Sequence, residues 1–141
     1  VEKDYSKYPS FISFDGYKTD YTPEQLKRIA MISLSFADYS VWNGKGSIKK
    51  AELEKVVKVI NEVHALGKPI RFWGTPDGVT AWNTFHNLGI DYINTDRPEA
   101  CADYFSHFDN KNYQIGKNED ITDDVARAKR LDRTTDSGRN T

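Results

Sequence analysis

The stretch Ile70-Arg71-Phe72-Trp73-Gly74-Thr75-Pro76-Asp77-Gly78 decides the fold class. Four β-prone residues run into a cluster of glycine, proline and aspartate, which reads as a strand ending in a loop. Trp82 and Phe85 then mark one packed helical face, and Gly89 ends that helix. A fourth β-prone run, Ile90 to Asn94, follows at once. Thr95-Asp96-Arg97-Pro98 leads into a last helix, where Cys101, Tyr104, Phe105 and Phe108 fall at i, i+3, i+4 and i+7.

The same rhythm runs upstream. Phe11 to Asp15 is a short strand closed by Gly16, and Thr22-Pro23-Glu24-Gln25 has the form of a capping box with proline at the first helical position. Met31 to Phe36 is a second apolar strand. After a loop, Ser47 is placed to cap a helix carrying Leu53, Val56, Val57, Ile60 and Val63, and Gly67 and Pro69 stop it. Four consecutive βα units therefore fill residues 1–108.

Strict alternation of strand and helix predicts an α/β fold with a parallel sheet and right-handed crossovers. Two architectures satisfy it. A (β/α)8 TIM barrel needs eight units and about 250 residues, so four units make a half-barrel, whereas four or five strands can close a small doubly wound domain. Of the 33 residues from Asp109 onward, only Tyr113, Ile115, Ile121, Val125, Ala126, Ala128 and Leu131 are hydrophobic. Residues 109–141 are therefore expected to be a polar tail or linker, with one short helix over Thr122 to Leu131 at most.

Composition narrows the function. Hydrophobic residues at 38% and aromatics at 13% supply a sizeable core. Twenty Lys and Arg against 21 Asp and Glu leave a net charge of -1, so no general cationic field draws the chain to nucleic acid. A single cysteine, Cys101, excludes an internal disulfide and a cysteine-rich zinc site. No apolar run is long enough to span a membrane as a helix. The start, Val1-Glu2-Lys3-Asp4, has no signal peptide and no initiator Met, and the chain is read as trimmed from something longer.

In parallel α/β folds, sites form where strands end. Asp15, Asp38, Asp77 and Asp96 all lie at such ends and are candidate metal ligands or acid/base groups; Asp is equally a turn former and helix cap. Arg71 and Trp73 leave one face of their strand, either to flank a phosphate or carboxylate or, for Arg71, to pair with a neighbouring Asp. Asn43-Gly44-Lys45-Gly46-Ser47 opens a helix after a strand, yet completes neither a P-loop nor a dinucleotide fingerprint. His64, His86 and His107 fall within helices, away from strand ends, and Cys101 reads as a small buried hydrophobe.

The segments RFWGTPD (71–77) and GIDYINTDRPE (89–99) resemble the last two strands of the glycerophosphodiester phosphodiesterase and phosphatidylinositol-specific phospholipase C superfamily. With SFDG, YTPEQLKRIAMIS, DYSVWNGKG and HALGKPIRFW, the likeness extends over Phe11 to Phe108, and these segments are similar to a bacterial branch of phospholipase-C-like phosphodiesterases. It implies the C-terminal half of a TIM barrel. The family's catalytic histidines and acids lie in the N-terminal half, and no segment here matches them. No catalytic residue is therefore assigned; Asp15, Arg71, Trp73, Thr75, Asn94 and Asp96 are the expected substrate-binding residues. The resemblance allows a divalent cation in the intact family and points to a periplasmic or secreted setting. VARAKRLDRTT (125–135) is similar to a linker that joins such barrels to an alkaline-phosphatase domain.

These readings give a leading expectation and two alternatives. The first is part of a phosphoric diester hydrolase, inactive alone, facing a phosphate-containing small molecule or lipid headgroup. The alternatives are a non-catalytic half-barrel assembly module and a small flavodoxin-like phosphate binder. A half-barrel is expected to form a homodimer or to associate with its missing N-terminal half.

Overall fold

A computed structural model describes residues 4–107. Three parallel strands, β1 (Phe14–Gly16), β2 (Ile29–Ser35) and β3 (Ile70–Trp73), form one sheet in the order β1-β2-β3. Four helices follow the strands: α1 (Pro23–Leu26), α2 (Lys50–Ala65), α3 (Val79–Leu88) and α4 (Pro98–Ser106). The α/β class and parallel sheet expected from the alternation are present.

Register sets the two faces. Ile32 aligns with Ile70 and Leu34 with Phe72, while Ser33 aligns with Arg71 and Ser35 with Trp73. Since aligned residues of parallel strands share a face and successive ones alternate, one face is apolar and the other polar. The apolar face meets the α2 stripe of Leu53, Val56, Val59, Ile60 and Val63, together with Ala81 and Phe85 from α3. Phe36 joins the layers edge-on, with ring centroids 5.7 Å from Phe72 and 5.3 Å from Phe85. Gly16 also belongs to this face: a Cβ there would lie 3.0 Å from the Tyr21 ring and 3.1 Å from Ile32. In a second cluster, α4 packs on α3 through Trp82, Cys101 and Tyr104.

The Thr22 capping box forms as read, with Thr22 Oγ1 accepting from Gln25 N and Gln25 Oε1 accepting from Thr22 N. Helix α3 ends at Gly89, whose φ of 84° favours a residue without Cβ. Other expectations need correction. β1 begins at Phe14 rather than Phe11, because the chain before it turns and hands its carbonyls to one side chain. Arg28 donates to Tyr5 O at 3.0 Å, Pro9 O at 2.6 Å and Ile12 O at 3.0 Å, beneath Tyr5 and Tyr8, which pack on Phe14. β2 runs over Ile29–Ser35, not Met31 to Phe36, since it pairs on both sides and starts level with Phe14.

The expected fourth strand, Ile90 to Asn94, shrinks to a single parallel bridge between Arg71 and Tyr92. Its ladder is diverted at the start: Asp91 Oδ2 takes Ile70 N–H at 2.8 Å, and Asp91 N and Tyr92 N both reach Ile70 O. Four complete βα units are therefore not present among the described residues. Ser47 does not cap α2, which starts at Lys50 behind Lys49; the intervening Ile48 is drawn into the core. Phe108 and the expected tail, 109–141, lie outside the described residues.

Arg28 ties the carbonyls of the segment before β1 to the sheet, alongside the packing of Tyr5 and Tyr8 on Phe14. Charge-assisted hydrogen bonds are worth about 1.5–3 kcal/mol each, and several here share one guanidinium. Arg28→Ala is expected to lose about 2–3 kcal/mol of stability in urea unfolding and to leave the amides of residues 5–12 open to hydrogen exchange; unchanged protection there would contradict the assignment.

Candidate functional site

The polar face of the sheet carries a groove of about 530 Å³ lined by Asp15, Met31, Arg71, Tyr92, Asn94 and Thr95, among others. The groove lies between β1, the outer edge of β3 and the chain that follows the Arg71–Tyr92 bridge. Arg71 is its cation. Its Nε donates to Ser33 Oγ at 3.1 Å, and it forms no ion pair among the described residues. Of the two readings of Arg71, pairing to a neighbouring Asp is thus corrected: the partner is a serine hydroxyl. A carboxylate would have neutralised the guanidinium; the hydroxyl orients it and leaves its charge and terminal N–H groups available to an anion.

Three of the six expected binding residues, Asp15, Arg71 and Asn94, meet in this groove. Thr75 stands behind it, donating from Oγ1 to Asn94 O at 3.2 Å and so fixing the segment that carries Asn94. Trp73 shares the Arg71 face, two residues further along β3, and is 52% exposed. Asp96 enters through its backbone, N–H donating to Asp77, while its own side chain is exposed. The four strand-end acids do not converge. Asp38 borders a different groove beside Lys18, Lys55 and Lys58, and among the described residues no three His, Cys, Asp or Glu side chains come close enough to hold a metal ion.

Asp77 organises the loops at this end of the sheet. Its Oδ1 accepts from Trp82 Nε1 and Thr95 Oγ1, both at 2.7 Å, and its Oδ2 accepts from Asp96 N at 2.9 Å. The loop after β3, the body of α3 and the turn before α4 are tied through one carboxylate. Partial burial alone would raise its pKa; the bonds from Thr95, Trp82 and Asp96 and the nearby Arg97 charge outweigh this and hold it below the usual aspartate value. Arg97 also lies over the Trp82 ring, 5.4 Å from its centroid.

Asp77 had no assigned partner in the sequence, although a buried Trp82 requires an acceptor for its indole N–H. Asp91 was missed altogether. It accepts from His64 Nε2 and Ile70 N, each at 2.8 Å, tying α2 to the start of β3. Nor does the Asn43–Ser47 loop open a helix. Asn43 Oδ1 takes Lys45 N–H, and Trp42 Nε1 donates to the carbonyls of Lys45 and Gly46, so the turn is closed on itself ahead of α2. Gly44, at φ 87°, has Pro76 so close that a Cβ would lie 2.8 Å from it. Cys101 is buried, and burial, followed by the Asp77 charge, pushes its thiol pKa up, as suits an unreactive packing residue.

Residues 69–99 match the glycerophosphoryl diester phosphodiesterase family. No curated protein and no solved structure matches the chain significantly. The matched stretch spans β3, the Asp77 loop, α3, the Tyr92 bridge and the first two residues of α4. It includes Arg71, Thr75, Asn94 and Asp96, as well as both Asp77 and Asp91. The match supports a relation to glycerophosphodiester phosphodiesterase and phospholipase-C-like proteins for this segment.

A carboxyl whose folded pKa lies below its unfolded value, about 3.9 for Asp, stabilises the fold above the unfolded value. That contribution is lost as pH falls through the folded one. In Asp77→Asn, stability should fall less steeply below pH ~4 than in the wild type. Urea midpoints measured down the acid limb test this, and parallel wild-type and variant curves would contradict it.

Proposed function

We propose that this chain is part of a phosphoric diester hydrolase acting on a glycerophosphodiester or phospholipid-like substrate, to which it contributes barrel wall and substrate mouth. The observation carrying the reading is the coincidence of the family match with Arg71: the matched segment presents an arginine with no carboxylate partner among the described residues, in a groove on the sheet face away from the helices. In this reading the sheet is a portion of a (β/α)8 barrel, and its polar face looks into the barrel. One-sided packing supports that choice over a doubly wound domain, which needs apolar residues on both faces.

The proposed roles follow from the geometry. Arg71 receives the phosphate, its approach set by Ser33. The Asn94 side chain supplies a neutral donor and acceptor, and Asp15, across the groove, accepts from hydroxyl groups of the alcohol portion. Thr75 and Asp77 position the Asn94–Asp96 segment without touching the ligand. None of the three histidines lines this groove: His64 is engaged by Asp91, His86 packs tilted against Phe105, and His107 lies against Asp103 O at the end of α4. Proton transfer and attack on phosphorus are assigned to residues outside this chain.

Two outcomes are expected together. The isolated chain does not hydrolyse bis(p-nitrophenyl) phosphate above background, yet inorganic phosphate shifts the Arg71 Nε–H and Asn94 side-chain NMR signals. Arg71→Gln weakens that binding about tenfold or more. Turnover that survives repurification, or phosphate shifts unaffected by Arg71→Gln, would refute the assignment.

A further inference from the structure

A register slip in the sheet gives the Arg71 groove an apolar lining. Phe14 aligns with Ile29 but Asp15 with Met31, so Ala30 is an extra residue on β2. Regular alternation would send one of Ala30 and Met31 toward the helices. Here both line the groove, while Ile29 and Ile32 on either side of them are buried in the helix-side core, at 2% and 0% exposure. A bulge re-aims side chains in this way.

The other flank of Arg71 is similar. β3 lies between β2 and the segment bridged at Tyr92, and from that segment Tyr92 and Ile93 line the groove together with Pro98. Arg71 therefore stands between two largely hydrocarbon walls. Among the polar groups of the lining, the Thr95 hydroxyl is already spent, donating to Asp77 Oδ1 and accepting from Arg97 N. Asp15 is aligned with Met31, two strands from Arg71 and roughly 10 Å across the sheet. A group attached to a phosphate at Arg71 must pass Met31 before it reaches that carboxylate.

On this path a hydroxyl would lose water and find no partner, whereas a methylene would gain from burial. Methionine suits such a wall, because its unbranched thioether adapts to the chain beside it. We propose that the groove selects phosphate esters whose substituent is hydrocarbon next to the phosphate, alkyl rather than polyol, and that Met31 is the residue setting this preference. Asp15 remains for a hydroxyl further out. The inference rests on the reading of Arg71 as the phosphate-binding residue and adds the class of group that the phosphate carries.

n-Butyl phosphate and glycerol 3-phosphate carry the same charge and differ in the substituent, so their dissociation constants isolate the preference. Both are read from the Arg71 Nε–H NMR signal of the full chain, with inorganic phosphate as reference. Each buried methylene is worth about fourfold in affinity, and n-butyl phosphate is expected to bind about tenfold tighter than glycerol 3-phosphate. Met31→Gln should bring that ratio close to one, and Met31→Leu should keep it. Equal affinities, tighter binding of glycerol 3-phosphate, or an unchanged ratio in folded Met31→Gln would overturn the inference and leave the phosphate reading standing. Absence of inorganic phosphate binding would refute that reading and this inference with it. Comparing the two esters needs no variant and therefore decides even if Met31→Gln fails to fold.

Discussion

The period-two alternation of β2 and β3, locked in one register, is the constraint on which the rest depends. Pairing Ile32 with Ile70 and Leu34 with Phe72 gathers the apolar side chains on one face, and α2 and α3 must cover that face. The same register forces Ser33, Ser35, Arg71 and Trp73 onto the other. A slip by one residue would bury the arginine beneath α2 and expose Ile70 and Phe72, which are 0% and 1% accessible. Core and groove are thus two consequences of one alignment, and Ser33 is the point where they touch. Small enough to be buried at 8% exposure, it still offers the hydroxyl that Arg71 needs.

Polar side chains hold the two ends of this sheet differently. Arg28 and Asp91 secure the ends at which the strands begin, by taking backbone groups that the short strands leave unpaired. The His64–Asp91 pair is more than a third exposed on both sides, so its charge contributes about 1 kcal/mol or less. Its larger effect is to hold the carboxylate that satisfies Ile70 N–H. Asp77 does the corresponding work where the strands end, fixing the loops that border the groove. Three aspartates therefore serve unlike ends: Asp91 and Asp77 are occupied by the fold, while Asp15 has no ion-pair partner among the described residues and lines the groove.

Local signals were legible in the sequence where structure depends on near neighbours. The Thr22 box, β3 and the Gly89 stop could each be read from a few residues, and alternation along β3 placed Arg71 and Trp73 together. Asp15 and Asn94 were singled out because each was read at a strand's end, and both line the groove although Asn94 follows only a single bridge. What eluded the sequence depends on distant partners. Ile90 to Asn94 looks like a strand in composition, yet Asp91 diverts its ladder to Ile70, 21 residues earlier. Phe11 to Ser13 looks like a strand too, but Arg28 claims its neighbourhood from 16 residues away. For the same reason Asp77 could not be distinguished from an ordinary turn former: its partners, Thr95 and Asp96, belong to a later segment.

Met31, the chain's one methionine, lies on the polar face in the groove, whereas Ile32 and Ile70 point into the helices. The direct test of a sheet covered on one side is therefore the accessibility of these methyl groups to a neutral paramagnetic chelate, measured by carbon-13 NMR. The account predicts strong attenuation of the Met31 methyl with Ile32 and Ile70 spared. Equal protection of all three would mean a second layer over the sheet, a doubly wound domain, and no open groove for Arg71 to serve.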